Sequence, residues 1–193
     1  MGSSAVSSLE VEFKFRVTDY DAVQAAALAL GAIPGTSGIQ EDEYFGHPVR
    51  DYVETDEALR IRITQGSTRL TYKGPLIDPV AKTRREIEIP VSGGSEAASQ
   101  MRNLLVALGF KPVRLVRKHR QSLSLRFEER NVELVCDTVD GLGTFVEIEI
   151  LAEEKDKDTA REILLRLASQ LGLTQPIRTS YLSMLMSDVP DQE

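Results

Sequence analysis

Five pairs of like-charged residues at i, i+2 spacing mark this chain: Glu10/Glu12, Arg60/Arg62, Glu86/Glu88, Lys118/Arg120 and Glu147/Glu149. Like charges on one face repel, so such pairs call for a counter-charge between them. A divalent cation suits the acids, because hard metal ions take carboxylate oxygens. A polyphosphate suits the bases: Arg meets phosphate with a planar fork and Lys with a compact point charge. Acids and bases together imply metal-assisted chemistry on a phosphate ester or anhydride.

Stepping from residues to elements, successive strand side chains point to opposite faces. Residues 9–17 alternate without a break. Leu9, Val11, Phe13, Phe15 and Val17 share one side, and Glu10, Glu12, Lys14 and Arg16 the other. The rule repeats at 59–64 and 69–73 (joined by a turn at 65–67), 84–91, 113–127 (a long strand, broken or bent), 132–137 and 144–151. A further strand is predicted near 39–45. Helices are expected from the cap at Thr18 or Asp19 to Leu30, after Gly93-Gly94-Ser95, from Asp156 or Asp158 to Leu171, and over 180–186. Their apolar stripes read Val23, Ala26, Ala27, Leu30; Met101, Leu104, Leu105, Leu108; Ile163, Leu164, Leu167, Leu171; and Leu182, Leu185, Met186. Segments 46–56 and 75–79 read as loops.

About eight strands in mostly antiparallel order can remove their edges by closing. An ordinary sheet with charges facing water fits the alternation too. The like-charge pairing favours the closed form, with charges inward and helices on the aliphatic exterior. The fold class is therefore α+β: a closed eight-stranded antiparallel β-barrel, or tunnel, with flanking helices. One domain over 9–187 is expected, with a disordered 1–8 and a frayed tail at 188–193.

Composition bounds the function. The chain has 193 residues, 41% hydrophobic and 27% charged, which is globular rather than disordered. Net charge is −7, which argues against non-specific nucleic-acid binding. No apolar run approaches the roughly 18 residues of a membrane span, and no secretory signal pattern opens the chain. A cytoplasmic protein is expected. The single Cys136 excludes an internal disulfide framework and a cysteine zinc cage; it shares a face with Leu134 and reads as a small core residue.

Glu10-Val-Glu12-Phe-Lys14 resembles the Glu-x-Glu-x-Lys signature of the CYTH superfamily, the triphosphate tunnel metalloenzymes. The resemblance continues in order through Leu59-Arg60-Ile-Arg62, Leu70-Thr-Tyr-Lys73-Gly-Pro, Arg84-Arg-Glu86, Lys118-His-Arg120, Asp137 and Gly141-Leu-Gly143-Thr-Phe-Val-Glu147-Ile-Glu149. Together with Arg178-Thr-Ser-Tyr181, these runs are most similar to the class IV adenylyl cyclases. The resemblance implies a tunnel for a nucleoside triphosphate with two divalent ions, Mg²⁺ or Mn²⁺. It implies Glu10, Glu12, Asp137, Glu147 and Glu149 as metal ligands. Lys14, Arg60, Arg62, Lys73, Arg84, Lys118 and Arg120 would hold the triphosphate, and Glu12, Lys14 and Glu147 would be catalytic. Glu86 would orient the bases or bind metal through water.

The implied reaction is attack of the ribose 3′-hydroxyl of ATP on the α-phosphorus, with pyrophosphate leaving as cyclic AMP forms. That chemistry leaves His47 and His119 as bystanders, and His119 alternates away from Lys118 and Arg120. The cyclase resemblance also suggests a homodimer. The same tunnel would serve a triphosphatase acting on thiamine triphosphate or inorganic triphosphate, and a non-catalytic nucleotide- or polyphosphate-binding module is the third reading.

Overall fold

The computed structural model describes residues 9–77 and 82–187. The expected disordered 1–8, the end of the 75–79 loop and the tail from 188 lie outside them. In chain order the elements are β1 (Leu9–Arg16), α1 (Tyr20–Ala29), β2 (Ile33–Gly46), α2 (Tyr52–Thr55), β3 (Ala58–Thr64), β4 (Ser67–Lys73), β5 (Lys82–Val91), α3 (Gly94–Ala107), β6 (Lys111–Phe127), β7 (Arg130–Val139), β8 (Gly143–Ala152), α4 (Lys157–Gln170) and α5 (Tyr181–Ser187). The strands close into a barrel in the order β1-β5-β4-β3-β2-β6-β7-β8, and every neighbouring pair is antiparallel.

The alternation puts the largest core outside the barrel wall. Val11, Phe13 and Phe15 of β1 join Val146, Ile148 and Ile150 of β8, Leu123 and Leu125 of β6, and Val132 and Leu134 of β7. Helix α4 covers them with Ile163, Leu164 and Leu167, and α1 with Val23 and Ala27. Removing these side chains from water stabilises the fold by roughly 1.5–3 kcal/mol each. Helix α3 covers Leu59 and Ile61 of β3 with Ala98 and Leu105. A third cluster, Tyr44, Val116, Val139, Leu142 and Phe145, is closed by Tyr181 and Leu185 of α5.

Local signals explain the boundaries. Asp19 accepts the Ala22 N–H at 3.0 Å and starts α1. Gly31, at φ +92°, follows its end. Gly141 and Gly143, at φ +80° and +96°, make the β7–β8 turn, where other residues would be strained. The predicted bend in β6 is a bulge at Val113, where Tyr44 pairs with Arg114 but Phe45 with Pro112.

Several expectations are corrected. β2 begins at Ile33, not near 39, because Ser122 of β6 bonds the Thr36 N–H and carbonyl and ties down a Pro-Gly-Thr stretch that reads as loop. The 46–56 segment contains α2, capped by Asp51. On α3, Leu104 and Leu108 are exposed and Ala98 and Leu105 are buried. The helix leans on β3 and β4 through Ala98, Met101 and Leu105, so Met101 and Leu105 of the expected stripe face the barrel. On α5, Tyr181 is buried and Met186 exposed. Cys136 is buried on the aliphatic side as expected.

Candidate functional site

The charged strand faces point inward. They line a cavity of about 1340 Å³, above the roughly 300–1,000 Å³ of ordinary small-ligand pockets. A triphosphate with metal ions and an organic group fits such a volume. Its wall includes Glu10, Glu12, Lys14, Arg60, Arg62, Lys73, Arg84, Lys118, Arg120, Glu147 and Glu149. Of the expected site residues, Asp137 alone is missing from that wall.

Three carboxylates converge. β1 and β8 pair Glu12 with Glu149, and an oxygen from each of Glu10, Glu12 and Glu149 lies within 4.8 Å of the others. Burial, then the charges of Glu10, Glu12, Glu133 and Glu147, push the Glu149 carboxyl up to about 9. Glu12 Oε1 is buried without a hydrogen-bond partner. Lys82 Nζ stands 3.9 Å from it, too far for a hydrogen bond. An all-oxygen, mutually repelling set with an orphaned acceptor fits a hard divalent cation.

Around this set run the bases. Lys73 Nζ bonds Glu10 Oε1 at 3.0 Å and Glu86 Oε2 at 2.6 Å. Arg60 Nη2 lies 3.9 Å from Glu86. Arg84 reaches out of the wall to the Asp56 carbonyl at 3.0 Å, fixing the end of the 46–57 loop. Lys14 sits 3.4 Å from Glu147 Oε1, 3.4 Å from the Thr179 carbonyl and 4.0 Å from the Tyr181 ring centre.

Glu147 and Asp137 stand apart from the three converging acids in their bonding. Arg120 Nη2 bonds Glu147 Oε2 at 2.7 Å. Asp137 is fully buried behind the wall. It accepts from Lys118 Nζ at 2.8 Å, Arg120 Nε at 2.7 Å, Arg120 Nη2 at 2.5 Å and the Tyr181 hydroxyl at 3.1 Å. Burial works to raise its pKa, but Arg120 and Lys118 hold it below the usual carboxylate range. Burial and the adjacent Arg120 draw Lys118 down to about 8, against Asp137.

Two site residues escape the sequence reading. Lys82 lines the cavity two positions before Arg84, so extending that strand's alternation backwards would have found it. Asp42 of β2 is buried against Arg60 and Arg62. Its strand carries Glu41, Asp42 and Glu43 in a row, which blurs the alternation. Tyr181, named in the Arg178-Thr-Ser-Tyr181 run, supports Lys14 and Lys118 with its ring, the latter at 5.2 Å. The histidines are engaged elsewhere. His47 Nδ1 accepts the Val49 and Arg50 N–H groups at 3.1 and 2.9 Å, and His119 meets Ser37 at 3.3 Å. Among the described residues, no helix is long and apolar enough to cross a membrane.

Comparison with known proteins points the same way. The model of the CYTH domain matches residues 8–181. A protein of Methanocaldococcus jannaschii, provisionally named adenylate cyclase, is 37% identical over 179 residues, 91% of this chain and 98% of its own length. Adenylate cyclase CyaB of Aeromonas hydrophila is 31% identical over 169 residues, 86% of this chain and 81% of its own. A solved structure from Pyrococcus horikoshii superimposes with a TM-score of 0.83 at 38% identity, covering 93% of this chain and 99% of that one.

Proposed function

The chain belongs to the CYTH domain family, and on that premise we propose that it is an adenylyl cyclase of the class IV type, converting ATP to cyclic AMP and pyrophosphate. The observation that carries this reading is the set of converging acids, Glu10, Glu12 and Glu149, with its orphaned Glu12 oxygen, inside a cavity walled by cations. The names of the two curated relatives favour cyclisation.

In this reading Glu10, Glu12 and Glu149 hold Mg²⁺ or Mn²⁺, which neutralises phosphate oxygens and eases loss of the attacking hydroxyl's proton. Lys14, Arg60, Arg62, Lys73, Arg84, Lys118 and Arg120 grip the triphosphate oxygens. Preorganised cations favour the charge that builds on the leaving pyrophosphate. The triphosphate takes over bonds that Lys14 and Arg120 now give to Glu147. Glu147, so released, would be available to hold a second divalent ion. Asp137 would join the metal shell only by a like exchange, giving up Lys118 and Arg120.

The test is direct. The purified protein is incubated with Mg²⁺ or Mn²⁺ and ATP, thiamine triphosphate or inorganic triphosphate, and the products are separated by chromatography. Cyclic AMP with equimolar pyrophosphate is expected from ATP. Orthophosphate from any of the three without cyclic product would replace the cyclase by a triphosphatase. Binding without turnover of any would leave a polyphosphate-binding module.

A further inference from the structure

Strand β2 has no ligand role in the reading above, yet Asp42 at its centre is buried among the cations of β3. Arg62 gives it Nε at 2.7 Å to Oδ1 and Nη2 at 2.8 Å to Oδ2, a two-pronged bond that fixes the guanidinium plane. Arg60 adds Nη1 at 3.3 Å to Oδ2 and, at 3.5 Å, to the Tyr44 hydroxyl. Asp42 does not line the cavity, whereas both arginines do. One carboxylate behind the wall therefore serves two cations on it. Burial would raise its pKa, but Arg60 and Arg62 outweigh that and keep it ionised.

Holding the two arginines from behind satisfies Arg62 through its fork on Asp42 but leaves one donor of Arg60 without an acceptor. Arg60 Nε is buried and has no hydrogen-bond partner, a costly state for a guanidinium donor. The same device recurs beside it, since Asp137 behind the wall serves Lys118 and Arg120. β2 and β6 are neighbours, with Gln40 paired to Lys118 and Asp42 to Val116. Two hidden carboxylates thus hold four cations on one side of the barrel.

We propose that Asp42 is a positioning residue: it sets Arg60 and Arg62 side by side on the cavity wall, so that they grip neighbouring phosphoryl groups of one polyphosphate chain. The inference rests on the triphosphate reading and adds to it the residue that gives the site its preference for a chain over a single phosphate. A purely structural counter-ion would affect stability without affecting that preference.

The experiment measures, by calorimetry without metal, the affinities of inorganic tripolyphosphate and of orthophosphate for the wild type and for Asp42→Asn. The asparagine keeps the shape and removes the shared charge. The ratio of the two affinities should fall about tenfold, the worth of one well-placed charge-assisted hydrogen bond, while orthophosphate binds at least as well as before. Arg62→Lys keeps the charge but cannot take the fork on Asp42, and it should lower the ratio similarly. It carries the test if Asp42→Asn does not fold. An unchanged ratio in the folded variant, with wild-type tripolyphosphate binding intact, overturns this inference alone. A wild type that binds neither anion overturns the triphosphate reading and this inference with it.

Discussion

Asp137→Asn separates a carboxylate that organises cations from one that binds metal. The carboxylate accepts four bonds, from Lys118, twice from Arg120, and from Tyr181. Asparagine keeps the outline but turns one oxygen into a donor facing other donors. Two buried cations lose their counter-charge. Arg120 keeps its 2.7 Å bond to Glu147, and Lys118 is left against the Tyr181 ring. Breaking a buried pair costs about 3–5 kcal/mol, and the retained Glu147 bond places this case at the low end, ~3 kcal/mol. For a chain of this length each kcal/mol lowers Tm by about 2–4 °C, so a fall of about 6–12 °C is expected. The assay is thermal melting followed by circular dichroism, alone and with tripolyphosphate or Mg²⁺. Tripolyphosphate should raise Tm more in the variant than in the wild type, since it supplies the missing negative charge and binds only the folded state. The Mg²⁺ effect should be the same in both. A fall below about 2 °C would refute the organising role. Loss of the Mg²⁺ effect would return Asp137 to the metal shell.

Glu149→Gln relieves repulsion among the converging acids, so it should raise the metal-free Tm. It should also weaken Mg²⁺ or Mn²⁺ binding by about tenfold or more, since even second-shell changes at metal sites cost that much; unchanged calorimetric binding would place the ion elsewhere. Lys73→Ala should weaken tripolyphosphate binding more than orthophosphate binding, and equal losses would mean that Lys73 does not meet the distal phosphates. Asp42 is held below its ordinary 3.8 in the folded protein, so its stabilisation is complete above that pH and fades as pH drops beneath it. The stability gap between wild type and Asp42→Asn, from urea melts, should be level from about pH 5 to 8 and narrow below about pH 4; a gap that closes near neutrality would contradict the assignment.

The barrel and its inner face were legible because a strand has a period of two, and β1 and β3 keep that period without interruption while β5 and β8 keep it around their paired glutamates. Residues that act through a neighbouring strand were hidden. Asp42 meets Arg62 because β2 and β3 pair those two positions, and register across strands leaves no mark on either strand alone. The family resemblance points to Asp137, but its partners follow from its pairing with Arg120, which turns it toward cations. The α3 stripe misled for another reason. Helical spacing groups Met101 and Leu105 with Leu104 and Leu108, but the face that packs is centred on Ala98, Met101 and Leu105, and Leu104 and Leu108 stay exposed.

The first strand is also the seam of the barrel. β1 pairs with β5 on one side and with β8, the last strand, on the other. Until β8 has been synthesised, Val11, Phe13 and Phe15 lack the strand and helix that cover them, and Glu12 lacks Glu149. Folding must therefore wait for a contact between the two ends of the chain, the kind of long-range closure that makes all-β topologies slow. A nascent or truncated chain ending before β8 carries an open, apolar-backed edge prone to pairing with other chains. On this topology the closed, charged cavity forms only once β8 is in place.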